Sequence, residues 1–153
     1  MKITLKEEKG AEKELIIRCE SVDNEVREII SLLSLKNKRI AVLDGTATKL
    51  IDPFSVMYCE SVDSNVFAYT KEEVKKTVYS LREIESAFSS LGFFRCSKSM
   101  VMNICFISGL KSISNGRIIA TLSNGERIVV SRKYAKELRK KLIAKGGLNY
   151  ERI

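Results

Sequence analysis

The segment "SNGRIIATLSNGERIVVS", residues 114–131, decides the fold class of this chain. It contains two β-prone runs, RIIATL and RIVVS, and an Asn-Gly pair precedes each of them. Asn and Gly tolerate the positive φ angles that tight hairpin turns require, so both pairs predict turns between antiparallel strands. The segment therefore indicates consecutive hairpins in an antiparallel sheet.

Short strand patterns also fill most of the chain between residue 45 and this segment. The predicted strands are TKLID, FSVMYCES, NVFAYT, VKKTVY, FFRCS and GLKSIS. One helix interrupts them: "SLREIESAFSSLG" opens with Ser80 three residues before Glu83, which is a capping box, and closes at Gly92. A last helix is predicted after Ser131. The fold class is therefore mainly β, α+β overall, with small antiparallel sheets and short helices.

Residues 1–44 differ from the rest in pattern and are predicted to form a ββαβ extension. "MKITLKEE" and "ELIIRCE" are β-prone, a helix follows the capping candidate Asp23, and "RIAVLDG" returns as a strand. The predicted domains are this extension at 1–44, a second domain at 45–147 and a tail at 148–153. The extension has an amphipathic helix and no net charge, so we expect it to mediate dimerisation.

The positive charge is concentrated in the last part of the chain. The 153 residues carry 27 basic and 19 acidic side chains, a net +8. Residues 1–44 sum to zero and 45–91 to −2, whereas 92–153 hold thirteen basic and three acidic residues, a net +10. A solvated C-terminal helix could account for part of this excess. Other basic residues lie outside that helix, so the distribution favours a surface for a polyanion: Arg95, Lys98, Lys111, Arg117 and Arg127.

Several classes of function lack the residues they need. The chain has no histidine, and its four cysteines are widely spaced without a C-x-x-C pair, so no zinc site or classical catalytic triad is predicted. No nucleophile or phosphate-loop motif is present. We therefore expect reduced cysteines, no catalytic residue, no cofactor, no metal and no small-molecule substrate. No apolar run reaches the roughly 18 residues of a membrane span, which predicts a cytoplasmic protein.

The order of several motifs resembles one known family. An Asp-Pro, the strand "VMYCES", a helix, "FFRCSKSMVMN" (residues 93–103), "ISGL" and "NGRIIATLSNGERIVVSRKYAKEL" together resemble the LytTR DNA-binding domain over about residues 46–145. The resemblance implies small antiparallel sheets whose loops enter successive major grooves. It also implies binding of double-stranded DNA at paired promoter sites, commonly by two copies.

The resemblance further implies which residues contact DNA. The candidates lie in the loop after "YCES", in the polar turn of "RCSKS", and after the serine of "VSR": Ser64 and Asn65, then Lys98 with Ser97 and Ser99, then Arg132 with Lys133. Asn103 matches a typical asparagine of the family and is expected to hold a turn, with DNA contact as an alternative. Arg95 is a candidate for non-specific attraction, and it could instead pair with Glu60 across the strands.

The chemistry of these side chains agrees with the assignment. Arg132 can donate two hydrogen bonds to guanine O6 and N7, and Lys98 supplies a rotatable cation for a base or a phosphate. Asn65 could pair with adenine N6 and N7, whereas Ser97 and Ser99 suit phosphate oxygens.

The resulting hypothesis is a sequence-specific bacterial transcriptional regulator that acts as a homodimer on DNA. Because 44 residues cannot form a phosphorylated receiver domain, we expect control by a partner, such as a membrane protein, or by abundance. Two alternatives stay open. One is a basic RNA-binding or general nucleic-acid module, and the other is an interaction protein with a membrane partner, whose basic tail meets anionic lipid.

Overall fold

The computed structural model describes residues 4, 6–12, 14–34 and 38–146. The chain divides into two compact units after Ser34. None of the described helices is long and apolar enough to span a bilayer.

The N-terminal unit contains a helix, α1 (Asn24–Ser34), at the predicted position. The Asp23 carboxylate accepts a hydrogen bond from the Val26 N–H at 2.9 Å and so caps the helix as predicted. The predicted strand ELIIRCE is wrong, because residues 14–20 form no strand and both Leu15 and Ile16 are exposed. Without burial, an isolated hairpin is marginal in water. The predicted strand MKITLKEE lies partly outside the described residues, and its described part forms no strand.

The second unit contains, within its described residues, ten strands and two α-helices. The strands are β1 (Ile40–Asp44), β2 (Ala47–Ile51), β3 (Val56–Val62), β4 (Asn65–Thr70), β5 (Val74–Lys76), β6 (Phe93–Ser97), β7 (Met100–Asn103), β8 (Ile107–Ser112), β9 (Ile118–Leu122) and β10 (Arg127–Val130). The helices are α2 (Leu81–Phe88) and α3 (Arg132–Gly146). All strand pairs are antiparallel. This confirms the predicted fold class.

The strands form three small sheets. β1 and β2 make a hairpin, β5-β4-β3-β7-β6 make a five-stranded sheet, and β10-β9-β8 make a three-stranded sheet. The two predicted Asn-Gly turns both connect neighbouring strands of the three-stranded sheet. The predicted capping box is also confirmed: the Ser80 hydroxyl accepts from the Glu83 N–H, and the Glu83 carboxylate accepts from the Ser80 N–H.

The domain boundary expected near residue 45 does not coincide with the division of the structure. β1 pairs with β2 across this position, from Asp44 opposite Ala47 to Ile40 opposite Ile51. Ile40 and Val42 are fully buried in the core of the second unit. The change in charge near residue 45 therefore falls inside a hairpin and marks no structural boundary.

Strand β7 was not predicted from the sequence. It lies in the five-stranded sheet between β3 and β6 and is buried on both faces, with Val101 and Met102 in different cores. The sequence of a strand buried on both faces is a continuous run of apolar residues. It lacks the alternation of apolar and polar residues that marks a half-exposed strand. This explains why "MVMN" gives no strand signal.

The five-stranded sheet separates two hydrophobic cores. Successive residues of a strand point to opposite faces, and accordingly Phe93 packs in one core and Phe94 in the other. The first core includes Leu81, Ile84 and Phe88 of α2. The second core lies between the five-stranded sheet, the three-stranded sheet and α3. Because both faces of β6 and β7 are packed, the two strands that carry the turn between them are held firmly in place.

Candidate nucleic-acid interface

The first predicted contact segment is the tight turn between β3 and β4. Its two central residues, Asp63 and Ser64, have φ angles of 49° and 64°. Positive φ at both central positions is the requirement of a two-residue hairpin turn that matches the twist of its strands. The amide nitrogen of Asn65 donates to the Asp63 carbonyl at 3.1 Å, which fixes the side chain, and no described residue donates to its amide oxygen. The turn therefore presents Ser64 and Asn65 in a defined conformation.

The second segment is the turn between β6 and β7, and Arg95 shapes it. Its guanidinium donates to the carbonyl oxygens of Ser97 at 2.7 Å and Lys98 at 2.6 Å. The same group lies 3.7 Å from Glu85, so the expected alternative pairing with Glu60 is wrong. These contacts use Arg95 to hold the turn, which leaves less of its guanidinium for a ligand than we expected. The Lys98 side chain itself is exposed.

The serines that flank Lys98 complete this turn. The Ser97 hydroxyl accepts a hydrogen bond from the Ser99 N–H at 3.3 Å. Ser97 is half-buried and Ser99 is exposed. The turn thus combines two small hydroxyl groups with one exposed cation.

The third segment is the start of α3. The Ser131 carbonyl accepts from Tyr134 and Ala135, so the helix begins directly after it, and Arg132 and Lys133 are exposed in the first turn. The N-terminal end of a helix carries partial positive charge, so cations there are unfavourable unless an anion is present. The arrangement is therefore suited to a negatively charged ligand.

The base of the Arg132 side chain lies against a turn of the three-stranded sheet. A Cβ atom placed on Gly116 would be 2.8 Å from the Arg132 Cγ atom, which is closer than carbon atoms normally approach. The missing side chain of Gly116 therefore makes room for Arg132. Gly116 has a φ angle of 71°, so the backbone there also suits glycine.

Two backbone hydrogen bonds join the three segments. The Ser61 N–H, near the β3–β4 turn, donates to the Ser99 carbonyl at 2.8 Å. The Ser131 N–H, at the start of α3, donates to the Cys96 carbonyl at 2.9 Å. The β6–β7 turn thus lies between the other two segments. The structure brings the sequence-predicted candidates, except Asn103, close together on the second unit.

Two cations of these segments have no partner among the described residues. Within the described part of the chain, neither the Lys98 ammonium nor the Arg132 guanidinium makes an ion pair or a hydrogen bond. The Lys133 ammonium lies 5.2 Å from the centre of the Tyr134 ring, a cation–π contact. Unneutralised cations grouped on one surface attract polyanions.

Asn103 has a structural position and is not part of this surface. It is fully buried, its amide nitrogen donates to the Val56 carbonyl at 3.2 Å, and its oxygen accepts from the Cys105 N–H at 3.1 Å. Both polar ends are therefore satisfied inside the protein. Asn103 holds a turn as expected, and its burial argues against the expected contact with DNA.

None of the four cysteines, all of which lie among the described residues, forms a disulfide. Burial raises the pKa of both Cys59 and Cys96 to about 12. A thiol with such a pKa stays neutral near pH 7 and acts as a small apolar residue. Cys96 therefore supports the second segment through packing and its backbone carbonyl.

Two basic residues beside this surface were missed by the sequence analysis. An open groove of about 640 Å³ is lined by Ser64, Asn65 and Lys98, and also by Lys76 and Arg82. Residues 45–91 carry a net charge of −2, so the distribution of charge along the chain gave no signal for these two. The pairing of β4 with β5 brings Lys76 beside the β3–β4 turn, and Arg82 lines the same groove from α2.

Comparison with known proteins gives a consistent family assignment. The LytTr DNA-binding domain family matches residues 46–143. The chain is 28% identical over 104 residues to the sensory transduction protein LytT of Bacillus subtilis, an alignment that covers 68% of this chain and 43% of that protein. It is 30% identical over 93 residues to LytT of Bacillus cereus, covering 61% and 38% of the two chains. The chain thus spans less than half the length of these relatives.

A solved structure shares the same fold. The LytTr DNA-binding domain of a Bacillus cereus protein matches with a TM-score of 0.63 and 27% sequence identity. The match covers 69% of this chain and 98% of that domain.

Proposed function

The chain belongs to the LytTr DNA-binding domain family, and we propose that it is a sequence-specific transcriptional regulator that binds double-stranded DNA through the three joined segments. In this proposal the β3–β4 turn, the β6–β7 turn and the start of α3 enter the major groove as loops. The observation that carries the proposal is the pair of backbone hydrogen bonds, Ser61 to Ser99 and Ser131 to Cys96, which hold these segments side by side.

The proposed roles follow from the hydrogen-bonding groups that each side chain offers. Arg132 reads guanine through two parallel hydrogen bonds, which is the commonest specific contact in the major groove. Asn65 reads adenine or another base with its available amide oxygen. Lys98 contacts a base acceptor or a phosphate, and Ser97 and Ser99 position the backbone of the DNA.

We also propose that two copies bind paired sites and that the N-terminal unit contributes to their association. The motivation is a set of exposed apolar side chains in that unit: Leu15 at 65% exposure, Ile16 at 63%, Val22 at 54% and Leu33 at 45%. Exposed apolar residues often mark an interaction surface when they form a patch. A second copy of the chain would bring the same apolar side chains and could cover them by apolar contact.

The test of DNA recognition is a fluorescence anisotropy titration at several salt concentrations. The first duplex comes from upstream of the gene that encodes the protein, the second is the same duplex scrambled, and a structured RNA of equal length is the third ligand. Tighter binding to the first duplex that persists as salt rises supports a site-specific regulator. Equal and steeply salt-dependent binding to all three would contradict it, because only the electrostatic contribution would be present.

The test of association is static light scattering of the full chain and of its Leu33→Glu variant. A charge within a buried apolar contact is strongly unfavourable, so the variant is expected to shift from dimer to monomer. A matched Ser31→Glu variant, which adds the same single negative charge at an exposed polar position of α1, controls for the added charge. An unchanged mass for Leu33→Glu would exclude this side chain from the interface.

A further inference from the structure

We propose that Lys76 and Arg82 form a phosphate-binding flank that extends the DNA surface beyond the three joined segments. This inference rests on the proposed function, because it assigns further contacts to the same surface. The flank is defined as these two residues, one at the end of β5 and one in the first turn of α2. Its ligand is the sugar-phosphate backbone of the duplex whose bases the three segments read.

The strand pairing places the flank beside the β3–β4 turn. Lys76 lies opposite Phe67, two residues from Asn65, and the Thr77 N–H donates to the Val66 carbonyl at 2.8 Å. The chain then continues past the turn to Arg82. Both basic side chains line the same open groove as Asn65 and Lys98, so a backbone that follows the groove meets all four.

The local charges leave the flank positive. Lys76 and Arg82 are both exposed, and neither forms an ion pair with another described residue. Glu83 is the carboxylate that lines the groove, and hydrogen bonds from the Ser80 N–H and hydroxyl lower its pKa and hold it in the capping box. Asp63 lies in the adjoining turn. Lys98 and Arg95 also line the groove, so its cations outnumber its carboxylates.

Neighbouring lysines are already neutralised, which distinguishes them from the flank. Lys75 lies 2.7 Å from Asp44, and Lys49 lies 3.1 Å from Glu73. Along β5, therefore, one lysine is paired inside the protein and the next is available for a ligand. Phosphates would supply the missing counter-charge for Lys76 and Arg82.

The flank is expected to add affinity without sequence preference. Contacts to phosphate oxygens carry no direct information about the bases. Lys76→Ala and Arg82→Ala should therefore weaken binding to preferred and scrambled duplexes by the same factor. Each substitution should also reduce the slope of log K against log salt by about 0.9, the value for one lost phosphate contact.

The experiment is a salt titration of DNA binding with the full chain, using Lys76→Ala, Arg82→Ala and the control Lys71→Ala. Lys71 follows the far end of β4, six residues and thus about 20 Å from Asn65, and it has the same charge and exposure as Lys76. Thermal unfolding of each variant establishes that the fold is intact. The preferred duplex is used at its minimal length and with about 10 base pairs, one helical turn, added at each end.

The outcomes separate this inference from the proposed function. Smaller slopes for Lys76→Ala and Arg82→Ala on the longer duplex, with Lys71→Ala unchanged, support the flank. The inference is overturned if either flank variant behaves like Lys71→Ala while the unsubstituted protein still prefers its duplex. If the unsubstituted protein binds all duplexes alike, the proposed sequence-specific function fails, and the slopes still decide whether the flank contacts phosphate.

Discussion

The Ser-Asn-Gly turns at 114–116 and 123–125 have the same sequence and lie at opposite ends of β9, yet they differ in conformation. In the first turn, Asn115 and Gly116 both have positive φ angles, 62° and 71°. In the second, only Gly125 does, at 88°. Residues 113–117 connect β8 to β9, whereas the shorter segment 123–126 connects β9 to β10. The two connections therefore differ in both length and conformation.

The surroundings of the two turns differ more than their conformations. Gly116 lies under the base of the Arg132 side chain, whereas no atom lies within 4 Å of a Cβ placed on Gly125. The same three residues thus support a candidate DNA contact at one end of β9 and only a turn at the other. Local sequence thus predicts the presence of a turn, while tertiary neighbours decide what the turn supports.

Arg132→Ala tests the importance of the first turn most directly. Loss of a bidentate contact to guanine should weaken binding to the preferred duplex by about 1–3 kcal/mol and relax discrimination at one base pair. Binding to scrambled DNA should fall much less. Anisotropy titrations against both duplexes measure the difference, and equal losses would show that Arg132 is not a base reader.

Arg132→Lys is the matched control for charge. Lysine keeps the positive charge but has no planar fork for two parallel hydrogen bonds. We expect it to restore the binding of scrambled DNA and not the full preference for the specific duplex. Complete recovery of that preference would assign Arg132 a purely electrostatic role.

Gly116→Ala should give the next largest effect. An alanine at this positive φ costs about 1–2 kcal/mol of the free energy of unfolding. Its Cβ would also displace Arg132, so binding to the preferred duplex should fall by about 1 kcal/mol, or about fivefold. Urea unfolding and anisotropy measure the two effects.

A double-mutant cycle shows whether Gly116 acts through Arg132. Once Arg132 has been replaced by alanine, Gly116→Ala should cause no further loss of specific DNA binding, although it should still destabilise the fold. Additive losses of binding would mean that the first turn contacts DNA independently of Arg132.

Gly125→Ala should separate stability from binding. The positive φ angle again costs about 1–2 kcal/mol of the free energy of unfolding, because alanine disfavours the left-handed conformation. DNA affinity should stay unchanged at a temperature where the variant is folded. A loss of specific binding as large as that of Gly116→Ala would remove the proposed difference between the two turns.

Asn124→Ala should have the smallest effect. The Asn124 oxygen accepts a hydrogen bond from the Glu126 N–H at 3.1 Å on an exposed surface. Its loss should lower the free energy of unfolding by about 0.5 kcal/mol. Urea unfolding measures this change, and Asn124→Asp, which keeps an acceptor, should be closer to the unsubstituted protein. A loss above about 2 kcal/mol would contradict a purely local role.

The sequence predicted those elements whose signals are local. The capping box at Ser80 and Glu83 and the Asn-Gly turns depend on neighbouring residues, and all of them are present. Residues 14–20 have strand propensity but no strand partner in the structure, so propensity alone was misleading. Strand β7 was missed for the opposite reason, since its burial on both faces removes the alternating pattern.

The candidate site was predictable only in part. The motifs indicated Lys98, Arg132 and their neighbours, and two backbone hydrogen bonds bring these segments together. The sequence left open whether Asn103 holds a turn or contacts DNA, and only the structure shows that it is buried. Lys76 and Arg82 lie in an acidic part of the sequence, so only the three-dimensional arrangement links them to this surface.

The bonds from Ser61 to Ser99 and from Ser131 to Cys96 have a consequence for engineering the protein, because they join main-chain atoms only. Backbone bonds do not depend on which side chains the bonded residues carry. Lys98, Ser99 and Arg132 can therefore be randomised together in a library, with Ser97 kept because its hydroxyl accepts from the Ser99 N–H, while the backbone that presents them is retained. Selecting such a library against altered duplexes is a direct route to variants of new sequence preference.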